Sequence, residues 1–148
     1  TVYVWANLFR GLHRDRPEFM WRYYLDEAVI DAVAHIDAEG HETAPVLLAT
    51  PETSQFVPRL ADVRVVCGHD MLTPHFAQKK RELARFFRQA GDEGYKRWLV
   101  NRYHVAYVLL GPEERAAGAF DGAAPPWLEP VFSADGVTLY AVKPGVYF

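Results

Sequence analysis

Three short, mainly apolar runs constrain the fold more than anything else in this chain. They are Val46 to Ala49, Val63 to Cys67 and Val105 to Leu110. A run without polar alternation buries both of its faces, as strands of a helix-covered parallel sheet do. Each run ends in a stop signal. Thr50-Pro51-Glu52 reads as helix cap, first-turn proline and favourable early acid, and that helix must end around Pro58. Gly68 ends the second run and Gly111-Pro112 the third.

The segments around these runs carry helical spacing. Leu25, Val29, Ala32, Val33 and Ile36 share one face of a helix over 25–38, with Asp26 and Glu27 at its positive end and Gly40 as its stop. Thr73-Pro74 repeats the cap-plus-proline signal and opens a helix to about Ala90, striped by Phe76, Leu83, Phe87 and Ala90. Gly91-Asp92 closes it and caps a further helix that turns Tyr95, Trp98 and Leu99 inward. Residues 113–117 make at most one turn. Leu128 to Phe132 and Val137 to Val142 flank Ala134-Asp135-Gly136, a hairpin signal. Together these predict a three-layer α/β sandwich: a mixed, Rossmann-like sheet with about three central parallel strands and a C-terminal antiparallel hairpin. The expected organisation is a juxtamembrane or N-terminal extension over 1–23 and one soluble α/β domain over 24–148.

Composition excludes several function classes. With 148 residues, half of them hydrophobic and 14% aromatic, the chain can build one core and is not disordered. A net charge of −3 gives no reason to expect nucleic acid as a partner. The single cysteine, Cys67, excludes an internal disulfide and a multi-cysteine metal cluster, and its place in an apolar run makes it a buried filler. No window holds ~18 consecutive apolar residues, and there is no signal-peptide pattern. The chain opens at Thr1, which suggests a piece of a longer product. Its aromatic start, Tyr3, Trp5 and Phe9 followed by Arg10, Arg14 and Arg16, suits a strand or the interfacial end of a membrane helix.

Charge is segregated. Residues 25–43 carry six acids and no lysine or arginine, whereas 78–102 carry Lys79, Lys80, Arg81, Arg85, Arg88, Lys96, Arg97 and Arg102 against three acids. Such runs read as solvated helix faces, or for the basic one as a face turned to phosphates or anionic lipid.

If the three apolar strands are parallel, their carboxyl ends share one edge, the usual ligand position in open α/β sheets. The candidate binding residues there are Thr50, Glu52, His69, Asp70, Thr73, Lys79, Lys80, Glu113 and Arg115. Thr50 and Thr73 also have a structural reading as helix caps, and Glu113, Glu114 and Arg115 one as a surface pair or turn cap. His69 beside Asp70 has the chemistry of a general base, but only Cys67 lies near it as a nucleophile, so no catalytic set is assigned. The spacing of His69, Asp70 and His75 matches no metal signature, and His13, His35, His41 and His104 form no pattern. Neither phosphate-binding glycine motif is present, so no cofactor is expected.

Four stretches carry a resemblance. Gly68-His69-Asp70-Met71-Leu72-Thr73-Pro74 followed by Lys79-Lys80, Val46 to Pro58, Tyr103 to Arg115, and Trp127 to Phe132 with Val137 to Val142 occur in the order seen near the C-terminus of certain bacterial polytopic membrane proteins. These resemble GT-C-type glycosyltransferases related to dolichyl-phosphate-mannose-protein mannosyltransferases. The chain departs from that pattern at Leu72, where a second acid usually stands. The resemblance implies a non-catalytic extracytoplasmic accessory domain on the outer face of the bacterial cell membrane. Its parent would be a multi-pass enzyme that uses a polyprenyl-phosphate sugar donor and carries its catalytic acid between early membrane helices. The implied partners are the membrane-embedded remainder and a glycan acceptor or lipid-phosphate headgroup. The alternative is an independent small-molecule-binding or hydrolytic α/β domain with its site on the polar edge.

Overall fold

The computed structural model describes residues 25–88, 92–118 and 124–146. The expectations for the first 24 residues, for Ala90 and for Gly91 lie outside them. Five strands form one mixed sheet: β1 (Val46–Leu48), β2 (Arg64–Val65), β3 (Val105–Leu110), β4 (Leu128–Ala134) and β5 (Val137–Val142), in spatial order β2-β1-β3-β5-β4. β1 pairs in parallel with β2 and with β3, while β5 pairs antiparallel with β3 and β4. The parallel strands therefore occupy one side of the sheet rather than its centre, because the hairpin adds onto β3.

Among the described residues six helical segments surround the sheet: α1 (Glu27–Ala38), α2 (Pro51–Ser54), a 3-10 turn (Val57–Arg59), α3 (Phe76–Arg88), α4 (Glu93–Arg102) and α5 (Pro112–Ala116). α1 starts where the Asp26 carboxylate accepts the Ala28 N–H, and stops at Gly40, whose φ of +67° suits a residue without Cβ. α4 starts at Asp92, which accepts the Tyr95 N–H. Asp135 and Gly136 both take positive φ, 45° and 78°, as a two-residue hairpin turn of matching twist requires.

The sheet separates two apolar layers. On one face α1 packs Val29, Val33 and Ile36 against Leu47, Leu109 and Leu139. On the other, α3 and α4 pack Leu83, Phe86, Phe87, Leu99 and Val100 against Val46, Leu48, Val108 and Leu110. Phe86 and Phe87 are fully buried and meet edge to face, centroids 5.2 Å apart. Burying each contributes about 2–3 kcal/mol.

Three expectations need correction. β2 is two residues long, not five: the exposed Arg64 interrupts the apolar run, and β1 pairs only with Arg64 and Val65. α3 begins at Phe76 rather than at the Thr73-Pro74 signal, because His75 turns through positive φ (56°) and interrupts the chain there. Trp98 points outward at 46% exposure, and Lys96 takes the inward place, its stem buried and its ammonium 5.7 Å from the Phe86 ring centroid. Burial pulls the Lys96 pKa down, with Glu93 and Asp92 opposing.

Candidate functional site

The carboxyl edge of the parallel strands is organised around a residue absent from the expected set. Glu114 is fully buried. One of its carboxylate oxygens accepts the Thr50 N–H at 2.9 Å and the Thr50 hydroxyl at 2.8 Å, and the other accepts the Gly111 N–H at 2.9 Å. The loop after β1 is thereby tied to the loop after β3. Glu114 holds the third position of α5, from which a glutamate reaches back to the residue before the helix. A side chain at Gly111 would place its Cβ 3.2 Å from that carboxylate. The hydroxyl of Thr50 is consequently no helix cap: it serves Glu114 and lies 3.3 Å from the Thr53 hydroxyl.

The nine expected site residues divide. His69, Thr73 and Lys79 line one cleft of about 370 Å³, together with Ser54, Gln55 and Arg59. Thr50 belongs to the Glu114 tie. Glu113 is held above the usual carboxylate range by partial burial and by the nearby charges of Glu52 and Glu114, which groups Glu52 with this acidic corner. The Nε of Arg115 turns to the hairpin and donates to the Gly136 carbonyl at 3.2 Å. Asp70 is exposed, and the exposed Lys80 places its ammonium 5.9 Å from the Phe76 ring centroid.

The cleft lies between the 3-10 turn and the loop over 68–74. The loop fits because Gly68 approaches the α2 segment closely: a Cβ there would stand 3.7 Å from the Gln55 Cα. Thr73 accepts the Gly68 N–H through its hydroxyl at 3.1 Å, so this threonine closes the loop rather than capping α3. His69 Nδ1 lies 3.0 Å from an Asp70 carboxylate oxygen and accepts the Met71 N–H at 3.2 Å. Ser54 is buried, and its hydroxyl has no hydrogen-bond partner among the described residues. Arg59 and Lys79 give the cleft two permanent cations, so its chemistry suits an anionic group.

Nucleophilic chemistry has little support here. Cys67 is buried, and burial pushes its thiol up to about 11 against the opposing pull of Lys79, so it stays protonated at neutral pH. Among the described residues no group of three metal-ligating side chains is arranged to hold an ion.

Sequence reasoning also missed Arg59, Gln55 and Ser54, which follow the first apolar strand without a recognisable spacing. It treated His35 and His41 as unpatterned, yet both reach Glu39 at the end of α1, at 3.4 and 3.6 Å. The Tyr107 hydroxyl donates to Glu39 and lies 3.1 Å from His41. Burial and the Glu39 carboxylate raise the Tyr107 phenol above its ordinary value. The i,i+4 spacing of His35 and Glu39 was a local signal, whereas only folding brings Tyr107 to them.

The fold and the cleft define a mixed α/β domain with a cationic pocket at the carboxyl edge of its parallel strands. That fold is shared with the C-terminal globular domain of an oligosaccharyltransferase from Archaeoglobus fulgidus, with a TM-score of 0.55 and 14% identity, covering 81% of this chain and 99% of that domain. No family model and no curated relative matches the sequence. At this identity the likeness establishes the fold alone. The neighbour is archaeal, whereas the motif resemblance pointed to bacterial proteins. Among the described residues no helix is long and apolar enough to cross a membrane.

Proposed function

We propose that this chain is the extracytoplasmic accessory domain of a membrane-embedded glycosyltransferase that uses a polyprenyl-phosphate sugar donor. The observation that carries the reading is the fold shared with the C-terminal globular domain of an oligosaccharyltransferase, over 81% of this chain and 99% of that domain. The ordered motifs pointed to the same class of parent on separate grounds. A non-catalytic role is supported by the site's chemistry: the cleft holds cations and a closed loop, and the neighbouring Cys67 thiol is buried and protonated. The three parallel strands with helices on both faces are read as a reduced Rossmann-like unit that carries the cleft. In the whole enzyme the domain would help shape acceptor binding, and the membrane-embedded remainder would perform the transfer.

Topology tests this reading in cells. A protease site placed at the exposed Asp135-Gly136 turn of the full-length parent should be cut by protease added outside spheroplasts. Cutting only after the membrane is opened would place the domain on the cytoplasmic side and sink the extracytoplasmic reading.

A further inference from the structure

The loop over 68–75 carries the two most exposed large hydrophobic side chains among the described residues, Met71 at 86% and Leu72 at 82%. The loop is braced from within. The His69 carbonyl accepts the N–H groups of Leu72 and Thr73 at 3.1 and 3.0 Å. The Met71 N–H donates to the Asp70 carboxylate at 2.8 Å, and the Thr73 hydroxyl fastens the loop to Gly68. These bonds hold the two aliphatic side chains away from the core, each at a cost of unburied apolar surface.

Around this apolar tip the charge is mainly positive. Arg59 and Lys79 line the cleft at its base, which Leu72 also lines, and Lys80 is exposed near the start of α3. Asp70 opposes them beside His69. Aliphatic tip and cationic base match the layered chemistry of an anionic bilayer, with hydrocarbon beneath phosphate. A folded protein partner fits less well, because two side chains on one tip offer a small fraction of the roughly 800 Å² that each side of a stable interface buries.

We propose that the Met71-Leu72 tip inserts into the interfacial layer of an anionic membrane, with Arg59 and Lys79 taking lipid phosphates at its base. This goes beyond the accessory-domain reading and does not rest on it.

The test is sedimentation of the 148-residue chain with vesicles of mixed phosphatidylglycerol and phosphatidylcholine, against phosphatidylcholine alone. The chain is expected to pellet with the anionic vesicles and to be released as salt rises. Met71→Ser with Leu72→Ser lowers partitioning ~10-fold at unchanged melting temperature, since both side chains are already in water in the free protein. Arg59→Gln with Lys79→Gln lowers it roughly five-fold per cation and flattens the salt dependence. A polarity-sensitive fluorophore on Leu72→Cys shifts to the blue on anionic vesicles, and the same label on Ile30→Cys of α1 does not; the buried Cys67 does not compete for the label. Wild-type pelleting that the Met71/Leu72 double variant reproduces would assign binding to another surface and overturn the proposal. So would a label at position 72 that stays in water while the protein pellets, or a wild-type chain that remains in the supernatant. None of these results bears on the accessory-domain reading, which is tested on the full-length parent.

Discussion

Replacing Glu114 with alanine should destabilise the domain more than any other single polar change at the carboxyl edge. The carboxylate accepts three hydrogen bonds in a fully buried position, two from backbone N–H groups and one from a hydroxyl. Truncation leaves the Thr50 and Gly111 N–H groups without an acceptor, at about 1–3 kcal/mol each. The Thr50 hydroxyl loses less, since the Thr53 hydroxyl lies 3.3 Å away and can take its proton. The expected total is about 3–5 kcal/mol, which for a domain of this size is a fall in Tm of about 10 °C or more. Glu114→Gln keeps one carbonyl acceptor but sets an NH2 donor against one of the two backbone donors, so its loss should be roughly half as large. Thr50→Val removes only the hydroxyl and should cost about 1–1.5 kcal/mol. Urea denaturation followed by circular dichroism measures all three. A Glu114→Ala variant within about 1 kcal/mol of wild type would refute the reasoning, as would a Glu114→Gln variant of wild-type stability, because either would mean that the two N–H groups find other acceptors.

Other consequences are open to equally direct checks. Glu113 has a raised pKa in the folded chain, through burial and the Glu52 and Glu114 charges. The folded state therefore holds this proton more tightly than the unfolded state, and its contribution is favourable at low pH and lost as pH rises through the raised value. Glu113→Gln should raise Tm at neutral pH, with the gain vanishing below the ordinary glutamate range; an equal gain at both ends would show that charge is not the cause. Gly136→Ala should cost about 1–2 kcal/mol by backbone strain alone, since φ is 78° and open space surrounds the new Cβ; an unchanged urea midpoint would contradict this. Asp92→Ala removes the α4 cap and the 2.7 Å pairing with Arg85, and should lower the melting temperature at neutral pH. The Arg85 hydrogen bond holds the Asp92 pKa below its ordinary value. The Asp92 contribution should accordingly be present above the unfolded aspartate range and fade as pH falls through the lowered value, as thermal melts across that window would show.

The fold was legible where one physical signal dominated. β3 runs from Val105 to Leu110 as the apolar run indicated, because it is paired on both sides and covered on both faces. The hairpin followed from Asp135-Gly136, whose positive φ values few other residue pairs accommodate. Legibility failed where tertiary partners competed with local preference. The threonine-proline signal at Thr73 lost to the Gly68 N–H, and Trp98 and Lys96 exchanged their expected faces once α4 packed on α3. The candidate site was half legible. The edge itself followed from strand polarity. Among three consecutive polar residues, however, the buried one is Glu114, selected by its third place in a helical turn rather than by periodicity. Arg59 enters the cleft because the 3-10 turn packs against β2, a contact that no local spacing announces.

The proposed function divides labour between this domain and a membrane-embedded enzyme. It is tested most directly by assaying the full-length parent with and without residues 24–148, reading turnover of the polyprenyl-phosphate sugar donor separately from glycosylation of the acceptor. The membrane half alone is expected to consume donor while its use of acceptor is altered. Donor turnover that vanishes in a well-folded deletion, and returns on adding the wild-type domain but not its His69→Ala form, would contradict it and place a catalytic group in the cleft.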